Sequence, residues 1–250
     1  MTHLTRAGVI AVCLLVAAGS ATAAEIRVLA SNGIKAAMEA IEPEFERATG
    51  HTLTIEFSTA ATLKERIQAG ATFDVAVLTD DVVADLITSG ALRPTSRREL
   101  AGVGIGVGFR KGAPKPDIRT VAALKASLLG AKALAYTRDG ASRPAIDRMF
   151  EALGITEAMR TRTRLVAAGQ GPPAVATGES DMVITLSSEI LPEPGVELAG
   201  SLPADFQVSL GFSAAAGSRT GETPAAQALI TFLDGPAAAG IYRAKGMDVR

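Results

Sequence analysis

The stretch EIRVLASNGIKAAMEAIEPEFERATGHTLTIEFSTAATLKERIQAGATFDVAVLTDDVVADLITSG, residues 25–90, decides the fold. Its apolar spacing alternates between short strand-like runs and helical stripes. EIRVLA (25–30) reads as a strand. Ile34, Ala37, Met38, Ile41 and Phe45 then form one helix face, which Gly50 stops. TLTIEF (52–57) alternates like a second strand. A short helix over 61–69 closes at Gly70, DVAVL (74–78) reads as a buried strand, and a helix over 80–89 ends at Gly90. Three strand–helix units in succession predict a mostly parallel sheet covered by helices.

Working outward, VGIGVGF (103–109) is a strand interrupted by glycines and followed by a Pro-bearing loop, 111–117. A second α/β set follows, with helices over 121–128, 142–153 and 172–177 and strands over 133–136, 164–167 and 182–185. Another Gly-containing strand spans 208–216, and helices over 224–233 and 237–245 close the chain. The two Gly-bearing strands bracket the second set. They read as two crossings between lobes, with lobe 1 at 25–103 plus 209–250 and lobe 2 at 104–208. One continuous sheet fits the same pattern.

The first 24 residues read as an export signal, with Arg6 ahead of an apolar core over 7–18 and the small-x-small site Ala21-Thr22-Ala23. The core is too short to span a bilayer. Export to the periplasm follows, an apolar first helix being the alternative. Of the chain's 25 Lys and Arg, Arg6 leaves with the signal, so 24 basic residues face 26 acidic ones, a net charge of −2. That balance argues against nucleic acid. The single cysteine, Cys13, lies in the signal, so the mature protein has neither disulfide nor thiolate site. His51 is the one mature histidine and reads as a surface residue. Trp is absent, which disfavours an aromatic sugar cleft.

The common hydrolase and zinc motifs are missing. GQGPPA (169–174) matches G-x-G-x-x-A but lies far from the first strand, so it reads as a tight turn before a Pro-initiated helix. More telling are three strand-to-helix loops: Ser31-Asn32-Gly33, Ser58-Thr59-Ala60-Ala61, and Gly140-Ala141-Ser142 followed by Arg143. Each sets hydroxyls and small side chains beside helix N-termini, where N–H groups lack partners and the helix dipole favours an anion. Ordinary N-capping accounts for any one of them equally well. An arginine at 143, with Arg138 on the other side of its loop, is suited to clamp a carboxylate.

The mature chain resembles the molybdate-binding proteins of ABC transporters, a branch of the two-lobed periplasmic solute receptors. TLKERIQAGATFDVAVLTDD (62–81) and ITFLDGPAAAGIYRAKGM (230–247) carry the resemblance most specifically. It implies two α/β lobes hinged by two crossing strands, and a ligand held by hydroxyls and N–H groups. TRDGASRPAIDRMFEALGI (137–155) and GVELAGSLPADFQ (195–207) look like a divergent subgroup. Three departures from the molybdate-type pattern bear on the ligand. Gly33 falls where members carry a serine, Ala60 and Ala61 replace hydroxyls, and Phe206-Gln207-Val208 stands where a tyrosine is common.

The expectation is therefore a monomeric receptor for a small anion that delivers to an ABC permease, without cofactor, protein-bound metal or catalysis. Molybdate or a similar oxyanion is the first ligand and a small organic carboxylate the second. An enzyme on the same scaffold is the rival class. The site is placed at Ser31, Asn32, Gly33, Ser58, Thr59 and Ala60 on the first lobe, and at Ala141, Ser142, Arg143 and Thr185 on the second.

Overall fold

Strand β1 (Glu25–Ser31) organises the first lobe of the computed structural model, which describes residues 23–221 and 223–250. The expected signal and its cleavage site fall largely outside those residues. β1 pairs in parallel with β2 (Thr52–Ser58) and with β3 (Val75–Thr79). Helices α1 (Lys35–Thr49), α2 (Ala60–Gln68) and α3 (Asp80–Thr88) link and cover these strands. α1 buries Ala37, Met38, Ile41 and Phe45, the stripe visible in the sequence, and ends where Gly50 turns to φ +74°.

The longest strand, β4 (Arg98–Arg110), belongs to both lobes. Residues 98–104 pair antiparallel with β9 (Ser209–Ala216), while 105–109 pair with β7 (Met182–Leu186) and 106–110 with β8 (Val196–Ser201). The change of partner falls between Gly104 and Ile105. Between β4 and β7 run α4 (Val121–Gly130), β5 (Leu134–Thr137), α5 (Arg143–Leu153), α6 (Thr156–Arg160), β6 (Thr163–Val166) and α7 (Gly171–Ala176). α8 (Ser187–Ile190) follows β7, while α9 (Thr223–Leu233), α10 (Pro236–Ala244) and β10 (Asp248–Val249) finish the chain.

The strand order is β2-β1-β3-β9-β4-β7-β5-β6; off this path, β10 pairs β4 opposite β9 and β8 pairs β4 opposite β7. Pairing is parallel inside each α/β set and antiparallel wherever β9 or β4 takes part. β4 makes one crossing. The return runs through 202–208, where Phe206 and Gln207 turn back on Pro203 before β9 begins. No helix among the described residues is long and apolar enough to cross a membrane.

The first lobe's core centres on Phe45, fully buried and edge-to-face with Phe232 at 5.5 Å. His51 stacks on the same ring at 6.2 Å, and its Nδ1 accepts the Ala24 N–H at 3.1 Å. The surface assignment for His51 is thus corrected: it is partly buried and ties the start of β1 to the end of α1. Phe45→Ala removes this centre, and urea denaturation should show a loss of about 3–5 kcal/mol.

Candidate functional site

The parallel strands of both lobes point their carboxyl ends at one cleft, the place where open α/β sheets bind ligands. β1 ends at Ser31, and Asn32–Ile34 form a single 3-10 turn into α1. β2 ends at Ser58. Thr59 then caps α2, its Oγ1 accepting the Thr62 N–H at 3.2 Å. Across the cleft β5 ends at Thr137, and a loop leads through Asp139 and Gly140 to Ser142 at the head of α5. β7 delivers Thr185 and Leu186, and α8 follows at once.

These ends enclose a small chamber. Ser31, Asn32, Gly33, Thr59 and Ala60 wall one side; Thr137, Gly140, Ala141, Ser142, Gly169, Thr185, Leu186 and Glu189 wall the other. It offers about 20 Å³ to the centre of a water molecule. A sphere of that volume has a radius of roughly 1.7 Å, and adding water's ~1.4 Å leaves room for an object about 3 Å in radius. That is the scale of one tetrahedral oxyanion. The chamber opens past Asn32, Gly169 and Glu189 into an outer cavity of about 430 Å³, reached also by Lys35 and Glu39.

Direct bonds hold the lobes together over the chamber. Thr59 and Thr62 donate their hydroxyls to Oδ2 of Asp139 at 2.8 and 2.9 Å. Ser188 donates to the Gly33 carbonyl at 2.6 Å. The Asn32 side chain lies against Gly169, whose φ of +72° makes the tight turn read in GQGPPA.

Among the described residues lining the chamber there is no Lys or Arg. Polarity comes from five hydroxyls, those of Ser31, Thr59, Thr137, Ser142 and Thr185, and from the first turn of α2, whose leading N–H groups have no intrahelical partner. α5 adds little, since Arg143 and Ala145 donate to the Gly140 and Ser142 carbonyls and Pro144 has no N–H. The one ionisable side chain in the wall is Glu189. Its carboxyl accepts the Thr185 hydroxyl and the Leu186 N–H, but lost hydration outweighs both bonds and raises its pKa, favouring the protonated acid. No group of three or more His, Cys, Asp or Glu that could hold a metal occurs among the described residues.

Ser31, Asn32, Gly33, Thr59, Ala60, Ala141, Ser142 and Thr185 are therefore brought together. Ser58 is not in the wall: it pairs with Ser31 across β1 and β2, one strand further out. Arg143 is turned away. Its Nε lies 3.2 Å from Asp147 Oδ2, its Nη1 donates to the Arg138 carbonyl at 2.5 Å, and the guanidinium sits 5.9 Å from the Tyr136 ring centre. A carboxylate clamp by Arg143 is not assembled in this structure. Sequence reasoning missed Thr137, Asp139, Gly169, Leu186 and Glu189. The available signal for Glu189 was a glutamate three residues past a strand end, the N3 position of a capping box.

Known proteins share this architecture. The family described as bacterial extracellular solute-binding protein matches residues 26–248. An aconitate isomerase from a Pseudomonas species is 29% identical over 228 residues, covering 89% of this chain and 87% of its own. The molybdate-binding protein ModA of Azotobacter vinelandii is 28% identical over 237 residues, 92% of either chain. The solved periplasmic molybdate-binding protein of Azotobacter vinelandii superposes with a TM-score of 0.79 at 19% identity, covering 90% of this chain and 99% of that one. With nearly all of the described residues inside the family match and a two-lobed α/β fold around one cleft, the chain belongs to the bacterial extracellular solute-binding proteins.

Proposed function

We propose that this chain is the periplasmic receptor of an ABC importer, capturing one small oxyanion, molybdate or one like it, between its lobes. The observation that carries the reading is the cation-free chamber of about 20 Å³, walled by hydroxyls and small residues from both sides. Such a wall neutralises an anion with fixed dipoles, as helix N-termini do. Lobe 1 comprises 25–103 plus 209–250 and lobe 2 comprises 104–208, with the signal removed on export. Ligand joins the lobes, and an inner-membrane permease recognises the closed monomer. No cofactor and no reaction enter this reading. A thermal-shift screen tests it. At a hundredfold excess over Kd an oxyanion should add about 2.7 kcal/mol of stability. For a chain of this length that raises Tm by roughly 5–10 °C. A screen in which oxyanions leave Tm unmoved, while sugars or carboxylic acids raise it, overturns the reading.

A second reading has its own support. The chamber opens beside Glu189 into the 430 Å³ outer cavity, where Lys35 stands, and a relative is named aconitate isomerase. A small carboxylic acid fits with one carboxylate inside and the remainder outside. In that case Glu189 is placed to exchange a proton with it. Incubating the protein with cis- or trans-aconitate and following the olefinic protons by NMR separates the two: turnover favours the isomerase, unchanged spectra the receptor.

A further inference from the structure

Resting on the oxyanion reading, the geometry points to Glu189 as the specificity-determining residue of the chamber, which takes one anion together with one proton. Of the described residues in the chamber wall, only Glu189 is ionisable. Its hydrogen bonds come from Thr185 and Leu186, which are neutral. No cation is positioned to hold it ionised. Lys35 faces the outer cavity, 3.6 Å from Glu39, a carboxylate on the same helix. Glu193, beyond α8, adds negative charge on that side. Asp139, on the loop after β5, already accepts two hydroxyl protons from the first lobe.

An ionised Glu189 and a fully ionised oxyanion cannot share so small a space without direct repulsion. The chemistry leaves two arrangements. Either Glu189 is protonated and donates its O–H to a bare oxyanion, or Glu189 is ionised and accepts a proton that the ligand brings. Each puts one proton between protein and ligand. Molybdate and sulfate carry none at neutral pH, so they need the protonated acid; hydrogenphosphate supplies its own. Loss of hydration keeps the carboxyl protonated to higher pH than an exposed glutamate, which agrees with this arrangement.

Glu189 also lies at the third residue of α8, where a carboxylate ordinarily caps a helix, and that role alone predicts ionisation and no linkage to ligand. Calorimetry separates the two. Wild-type protein is titrated with sulfate, molybdate and phosphate between pH 6.5 and 9, in buffers of differing ionisation enthalpy. Sulfate and molybdate should lose affinity by up to tenfold per pH unit above the titration of Glu189, with proton uptake approaching one per ligand there. Phosphate should show the weaker dependence. In Glu189→Gln the amide keeps both hydrogen bonds and adds a permanent donor. The pH dependence should vanish, and at pH values above the titration of Glu189 sulfate should bind the variant more tightly than wild type. Flat wild-type affinity with no proton uptake overturns the proton requirement while leaving the oxyanion receptor intact. Failure of every oxyanion to bind at any pH overturns both. The wild-type titrations decide the matter even if the variant does not fold.

Discussion

Thr59→Asp is expected to weaken ligand binding by at least a hundredfold while leaving the empty protein close to wild-type stability. Thr59 caps α2, and Asp is as good a cap as Thr or better, so the helix start is preserved. The closed cleft, however, depends on the Thr59 hydroxyl donating to Asp139 at 2.8 Å. A carboxylate in its place donates nothing and faces two negative charges, Asp139 and the bound anion. At an effective dielectric near 20, unit charges about 4 Å apart repel by roughly 4 kcal/mol. Asp139 is exposed and screened, so most of the penalty comes from the anion inside the chamber. A hundredfold loss corresponds to about 2.7 kcal/mol, well within that range. Asp139→Asn in the Thr59→Asp background should restore part of the affinity, giving a measurable coupling between the two positions. Calorimetry of the four proteins, with Tm recorded for each without ligand, checks the result. Unaltered binding by Thr59→Asp removes the chamber from consideration.

Gly33→Val should be the most damaging single change near the cleft. A Cβ at this position meets Leu186 Cδ1 at 2.5 Å and Phe212 Cζ at 2.6 Å. Both neighbours are buried, at 4% and 0% exposure, and neither has room to swing aside. Overpacking of this kind costs about 1–3 kcal/mol. The geometry makes binding suffer more than folding. Leu186 comes from the second lobe and Phe212 from the first, so an added side chain is a wedge between them. The Gly33 carbonyl that accepts the Ser188 hydroxyl at 2.6 Å is pushed out of reach by the same wedge. The expected outcome is about 2 kcal/mol lost in urea denaturation and at least a hundredfold lost in affinity, with Gly33→Ala intermediate in both. Wild-type affinity in the valine variant contradicts this placement of the ligand. The contact also supplies a physical reason for glycine at this position: no Cβ fits.

The strand–helix alternation of residues 25–90 was legible because each helix buries a stripe and ends at a left-handed glycine, signals that are local. The loops that wall the chamber were legible as a set: N-capping explains hydroxyls and small residues after any one strand, but three such loops drawn from both α/β sets pointed to a shared site. What escaped notice depends on distance in the chain. α8 is four residues long, too short for any helical period, and so Glu189 carried no periodic signal, only its place three residues past a strand end. The first residues of β4, Arg98 and Glu99, are exposed and charged and become a strand only because β9 lies beside them. Arg143 follows Ser142 directly, but one step along a helix rotates a side chain by about 100°, enough to carry it from the cleft to the Tyr136 face. Ser58 sits at the right height but on the outer strand, about 4.8 Å from β1.

The placement of β9 governs when this molecule is able to fold. Residues 209–216 form the strand between β3 and β4, so the first lobe's sheet lacks its middle until most of the chain has been made. Pairing a segment near residue 77 with one near 214 is a contact of high order, slow to form and costly in loop closure. Until β9 arrives, only the parallel β2-β1-β3 part of that sheet can form, and the far edge of β3 has no partner. The arrangement that ties the two lobes into one sheet also makes completion of the first lobe wait for nearly the last strand of the chain.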